Sequence, residues 1–265
     1  MTQAVSTDTR TDTRTDTKTA ALPSDAVTPE SPSAAPPVAN GSRENAFEFP
    51  PSIELGFNLV DVRDGQPRQG SGSLVWKSDG KTYEMRLAAT VLFINLLTQI
   101  STGRVGEQGI EPERFSDKRI NRSEQAAHFE RDKAVISFSS NRPPAALQRG
   151  AQDRTSVSMQ LAALLAGAPQ RYEKGSNISV QVVSTNDASV WVFNVEGTET
   201  VSVPAGTAQA VHLTRSPRSE FDPRLELWFA PQLNYLPIRI KQTESNGNTF
   251  DLLLRSPALR PVVGN

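Results

Sequence analysis

Apolar residues in this chain recur at every second position, in short runs punctuated by turn residues, and this period of two most limits the fold. Ile53, Leu55, Phe57 and Leu59 alternate with Glu54, Gly56, Asn58 and Val60. DGQPRQG reads as a turn, residues 73–77 as a second strand carrying Trp76, and SDGK as the next turn into a strand over 82–89. Beyond His128 and Phe129, Asp132 and Lys133 turn the chain into AVISFSS. ISVQVVS and SVWVFNVEG flank a turn at Asn186 and Asp187, and TETVSV and AQAVHLTRS flank PAGT. Short alternating strands at this spacing predict an antiparallel all-β domain.

One segment has a different period. In QDRTSVSMQLAALLAGAP, Val157, Leu161, Leu164 and Leu165 share one helical face. Asp153 stands where an N-cap belongs, Gly167 fits the stop, and Pro169 blocks continuation. A lone helix among strands must bury its stripe on the sheet.

The segment WFAPQLNYLPIRIKQTESNGNTFDLLLR reads as three closing strands. Leu225, Leu227 and Phe229 face one way before Pro231 ends their strand. Leu236, Ile238 and Ile240 face the core of the next, with Pro237, Arg239 and Lys241 outward. Pro237 lacks a donor and belongs near a strand start, an edge or a bulge. Asn246 and Gly247 predict a turn with positive φ at the glycine, leading into Phe250, Leu252 and Leu254.

The predicted architecture is thus mainly β: a single curved antiparallel sheet with one covering helix. Residues 1–46 hold no aromatic residue, repeat TDTR, TDTR and TDTK, and then turn Pro-rich; they are expected to be a disordered tail. The domain is placed at 47–257, with a flexible tail over 258–265.

Composition excludes several classes of function. Lys and Arg total 28 against 29 Asp and Glu, too balanced for a nucleic-acid binder. With no cysteine, disulfides, thiolate catalysis and Cys-ligated metals are excluded. No run of 18 apolar residues is present to span a membrane as a helix, and no secretory signal is visible.

Four separated stretches resemble the DUF3108 proteins of Gram-negative bacteria: GIEPERFSDKR, AAHFERDKAVISF, GAQDRTSVSMQLAALLA and ELWFAPQLNYLPIRIKQTESNG. Their order also matches, over roughly residues 47–256. The resemblance implies an envelope protein with an N-terminal hydrophobic segment, a Pro-rich linker and a periplasmic domain. It further implies a fold similar to the lipoprotein-carrier half-barrels, a curled sheet with helix cover, and it supplies no catalytic residue or cofactor. Here the linker-like tail lacks its hydrophobic segment, so in-frame codons upstream of Met1 are expected to encode one.

Candidate chemistry is sparse. His128, Glu130 and Asp132 share a face at strand spacing, compatible with a metal or with a solvated strand; His212 is expected to face solvent. No G-x-S-x-G is present to support a hydrolase. The glycines of GRVGEQG have the wrong spacing for a phosphate loop and read as turns. Arg114, Lys118, Arg119 and Arg122 make a basic cluster that Asp117 and Glu124 dilute, and it reads as a solvated face ahead of an anion site; Asp153 and Arg154 open the helix and read as a cap with a surface or interstrand ion pair. LAATVLFINLLTQIS, residues 87–101, is apolar on both alternating faces. It reads as a strand buried on both sides or as the wall of an apolar cavity. The cavity reading names Leu92, Phe93, Leu96, Leu97, Leu161, Leu164, Trp228 and Phe229 as the wall, with a lipid or other apolar small molecule as ligand. The alternatives are a scaffold for an envelope protein or cell-wall component and, third, a hydrolase.

Overall fold

A computed structural model describes residues 46–261 of the chain. The remaining tail residues, 1–45 and 262–265, lie outside the described region.

Within it the chain forms one 15-stranded sheet. The first eight strands are β1 (Ile53–Arg63), β2 (Gln66–Ser78), β3 (Thr82–Val91), β4 (Ile94–Gly106), β5 (Gly109–Arg119), β6 (Gln125–Glu130), β7 (Val135–Phe138) and β8 (Ala145–Ala146). After β9 (Gln152–Asp153) and helix α1 (Ser156–Gly167) come β10 (Asn177–Val183), β11 (Ala188–Val203), β12 (Gly206–Arg215), β13 (Arg224–Ala230), β14 (Leu236–Thr243) and β15 (Thr249–Pro261). Alternation puts Leu55, Phe57 and Leu59 inward on β1 and Leu74 and Trp76 inward on β2.

The strand order is β8 through β1, then β15 down to β9. Two meanders are therefore joined at the middle by the first and last strands, with Phe57 opposite Leu254 and Ile53 opposite Pro261. β15 thus runs past the boundary expected near residue 257. The two sheet edges, β8 and β9, are joined by only a short connection. Side chains cross the seam in place of a ladder: Gln181 on β10 donates to the Ala146 carbonyl at 2.9 Å and accepts from the Gln148 N–H at 2.9 Å. The curled sheet is a nearly closed barrel.

Helix α1 lies inside this curl. The sequence predicts a one-sided stripe, yet every residue from Ser156 to Leu165 is buried. Its small Ala162 and Ala163 let the sheet approach from sides that a surface helix would leave wet. The polar residues it buries are satisfied: Gln160 accepts from the Ile110 N–H at 2.8 Å and donates to the Gln108 carbonyl at 2.9 Å. At the helix end, Gly167 is not a left-handed cap. Ala46 passes so closely that a Cβ on Gly167 would lie 2.3 Å from its carbonyl oxygen. The incoming chain then stacks Phe47, Phe49, Trp76 and Tyr83 in sequence, with centroids 6.3, 5.7 and 5.4 Å apart.

Other details differ from the sequence reading. The β1–β2 turn is only Asp64 and Gly65, both at positive φ, so QPRQG belongs to β2. SVWVFNVEG and TETVSV form one strand, β11, bent at a bulge beside Gly197. Pro237 sits second in β14, next to the β13–β14 bulge, and is buried rather than outward. The largest correction concerns residues 87–101. They are two strands of a hairpin, turning at Leu92 and Phe93, both at positive φ.

Candidate functional site

Seven connections lie at the same end of the strands: 64–65, 92–93, 120–124, 139–144, 184–187, 216–223 and 244–248. The floor at this end is the start of α1. Asp153 accepts the Thr155 and Ser156 N–H groups, both at 2.8 Å, so it caps the helix from two residues before the N-cap Thr155. Its other oxygen takes the Ser101 hydroxyl at 2.5 Å, and Ser101 lies 2.7 Å from the Tyr83 hydroxyl. Burial raises the Asp153 pKa to about 6 against these hydrogen bonds, and burial also pushes the Tyr83 hydroxyl well up. This chain of three is enclosed and anchors the helix.

Above the floor opens a cavity of about 510 Å3. Leu87, Leu96, Leu97, Leu225, Ile240 and Phe250 line it, all half-buried because α1 does not reach them. Arginines ring it. Arg63 and Arg68 are held by the buried Asp61, and Arg63 also by Glu244. Arg119 pairs with Asp117 at 3.1 Å, and Asp117 also accepts from Gln99 at 3.0 Å. Arg154 differs. Its guanidinium lies 5.6 Å from the Trp191 ring centroid, meets no carboxylate within ion-pair distance among the described residues, and leaves a buried Nε without a partner. Burial first, and Arg119 second, hold its pKa below the usual value, although a guanidinium stays charged.

A second, polar cavity of about 570 Å3 lies beside the first. Asp117, Ser123, Gln125, Ser184, Thr185 and Asn186 face it. Arg119, Arg122 and Arg154 line both cavities and stand at their border.

The same end carries exposed apolar residues. Leu92, Phe93, Ile94, Ile120 and Phe221 are five of the seven exposed large apolar side chains among the described residues.

The structure disperses the residues expected to form one wall. Leu96 and Leu97 line the apolar cavity. Leu92 and Phe93 sit on the outer tip of the β3–β4 hairpin. Leu161 and Leu164 border a separate cavity of about 390 Å3 with Phe47 and Tyr172. Phe229 and Trp228 are both buried in the main core, and neither lines the apolar cavity. Trp228 stacks on His212 with centroids 4.3 Å apart, has Arg239 over its ring at 4.7 Å, and donates to Glu199 at 2.5 Å. His212 is thus 12% exposed rather than solvent-facing, and burial lowers its pKa although Glu199 and Glu226 are near. Asp132 leaves the strand face of His128 and Glu130 in the short 3-10 turn Arg131–Lys133. Among the described residues no three His, Asp or Glu side chains converge as a metal site. Gly109 of GRVGEQG ends the β4–β5 turn, and its missing Cβ makes room for Gln160. Sequence reading passes over Arg63, Arg68 and Trp191, and takes Arg119, Arg122 and Arg154 for surface or cap residues. Their one shared signal is position at the same end of the strands.

A single curled sheet around an internal helix, open to a cavity at one end, defines a β-barrel-like class of protein. Residues 61–255 match the family described as protein of unknown function, DUF3108, and the chain belongs to that family. No curated protein sequence matches it. Among solved structures, it resembles a β-barrel-like DUF1849 protein from Brucella abortus at 12% identity and a TM-score of 0.53, over 82% of this chain and 100% of that one. Weaker likeness extends to an exported protein with a YmcC-like fold from Bacteroides fragilis (14% identity, TM-score 0.33, 81% of this chain, 99% of that one). It also extends to an outer membrane lipoprotein-sorting protein domain from Vibrio parahaemolyticus (8% identity, TM-score 0.28, 81% and 87%). At these identities the likeness concerns fold alone. No helix among the described residues is long and apolar enough to cross a membrane.

Proposed function

We propose that this domain binds an apolar or amphiphilic small molecule, of lipid type, in the cavity at the open end of the barrel. One observation carries the reading: six large apolar side chains, Leu87, Leu96, Leu97, Leu225, Ile240 and Phe250, face a space that the internal helix leaves unfilled. Apolar surface turned toward a cavity is unfavourable unless something covers it. A volume of about 510 Å3 falls within the range of small-molecule sites. The exposed Leu92, Phe93 and Ile94 beside the mouth suit contact with a lipid surface or a partner that delivers the ligand. The proposed address is the cell envelope, as the DUF3108 resemblance implies, and fractionation of the native host checks it.

The test is titration of an apolar fluorophore or a fatty acid into the full chain, with a non-fluorescent lipid as competitor. Saturable, competed binding that Leu96→Asp weakens without unfolding the protein is expected. Absence of any saturable signal would sink the reading. A second reading, a docking module for an envelope partner, draws on the apolar tip. It would survive that result if replacing Leu92 and Phe93 by Ser abolished capture of the partner.

A further inference from the structure

The cavity has a built polar boundary, and that boundary restricts its ligand. We propose that Arg119, Arg122 and Arg154 seat the anionic head group of an amphiphile whose hydrocarbon tail occupies the apolar cavity. The proposal rests on the reading above and adds the head group. Three observations meet at one place. These arginines are the residues common to the apolar and the polar cavity, so they stand where the head–tail junction of an amphiphile would fall. Arg154 is largely buried, with its guanidinium 5.6 Å from the Trp191 ring centroid, and its Nε lacks a partner. An unsatisfied buried donor on a charged group is costly, and a carboxylate or phosphate oxygen relieves that cost. Arg122, like Arg154, meets no carboxylate within ion-pair distance among the described residues, in contrast to the paired Arg63, Arg68 and Arg119.

The acidic groups nearby do not cancel this field. Asp117 is shared between Arg119 and Gln99, and Glu244 is engaged by Arg63. One oxygen of Asp117 also lacks a partner, so it repels an anion placed against it. A head group seated among the three arginines therefore leans on Arg122 and Arg154, which have no carboxylate partner among the described residues, more than on Arg119, which Asp117 holds. Ser123 and the Asn186 amide, on the wall of the polar cavity, offer donors to further oxygens of the head group, whereas the Ser184 hydroxyl is engaged within its own turn.

The test holds the tail constant and varies the head. Dodecanoate, dodecyl phosphate, dodecanol and dodecyltrimethylammonium are titrated into the full chain below their critical micelle concentrations, with acetate and inorganic phosphate as tail-free controls. The anionic amphiphiles are expected to bind at least about tenfold more tightly than dodecanol, the size of a charge-assisted hydrogen bond gained. Arg154→Gln and, separately, the exposed Arg122→Gln should each shrink that ratio. Should Arg154→Gln fail to fold, Arg122→Gln carries the test. Equal affinity for dodecanol and dodecanoate overturns the head-group proposal and leaves the apolar cavity standing. Binding of acetate or phosphate as tight as that of dodecanoate overturns it in favour of a free anion. No binding by any amphiphile overturns both readings.

Discussion

At the residue scale, Asp153 shows how a sequence signal and its physical role can differ. Asp before an apolar helical stripe reads as a cap, and Asp153 does take two N–H groups of the first turn. Nothing local says that it is also fully enclosed, because its walls come from β3 and β4. Its folded pKa, about 6, lies above the usual carboxylate value. A group raised in this way favours the folded state most below its unfolded pKa, and that contribution disappears as the pH rises through the folded one. Asp153→Asn, which keeps an acceptor and does not titrate, should therefore gain on the natural protein between pH 4 and pH 7, by up to about 3 kcal/mol. Urea melts of both proteins at the two pH values measure it, and a stability difference that does not change with pH refutes it. Gly247 gives a simpler case. Its φ is +84° and no atom lies within 4 Å of where a Cβ would stand, so Gly247→Val should cost only backbone strain, about 1–2 kcal/mol. Coincident denaturant melts would contradict that.

At the element scale, the β3–β4 hairpin is illegible in the sequence for an identifiable reason. Two-residue hairpin turns with both residues at positive φ normally announce themselves with Asn and Gly. Here the positions are Leu92 and Phe93, at φ +48° and +66°. With no turn chemistry to stop it, the apolar run over 87–101 looks continuous. Local rules fail most informatively where a chain keeps a strained arrangement. Replacing Leu92 by Asn and Phe93 by Gly should raise stability by about 1 kcal/mol or more in a thermal melt. The same variant should lose contact with lipid vesicles or a partner if the tip serves the mouth. An unchanged or lowered melting temperature would show that the tip is not strained. Helix α1 is legible in the sequence, and its environment is not. A stripe of Val157, Leu161, Leu164 and Leu165 looks the same whether one face or every face is covered. The alanines between decide, and alanine is compatible with either.

At the scale of the whole molecule, the period of two dictates the class of fold and leaves the partners of each strand open. Alternation says which face a residue occupies, not which strand lies beside it. Adjacent hairpins are therefore readable, and the pairing of β1 with β15 is not. The site shares this limit, since its arginines come from β1, β2, β5, the β5–β6 turn and the start of α1. Because β15 joins the two meanders, a chain ending before Thr249 should fail to fold rather than lose one strand's worth of stability. Circular dichroism and a urea melt of that shortened chain check this, and a cooperative transition would refute it. Hydrogen exchange should be fastest at the seam, where Gln181 stands in for a ladder, and slowest along β1 and β15.

The central pairing also fixes how the molecule bears load. Ile53 begins β1 directly opposite Pro261 near the end of β15, so force applied at these two points acts on the same end of one antiparallel pair. Such a pull opens hydrogen bonds one rung after another instead of shearing them together. The central seam of the sheet is thereby the one that yields to a small force.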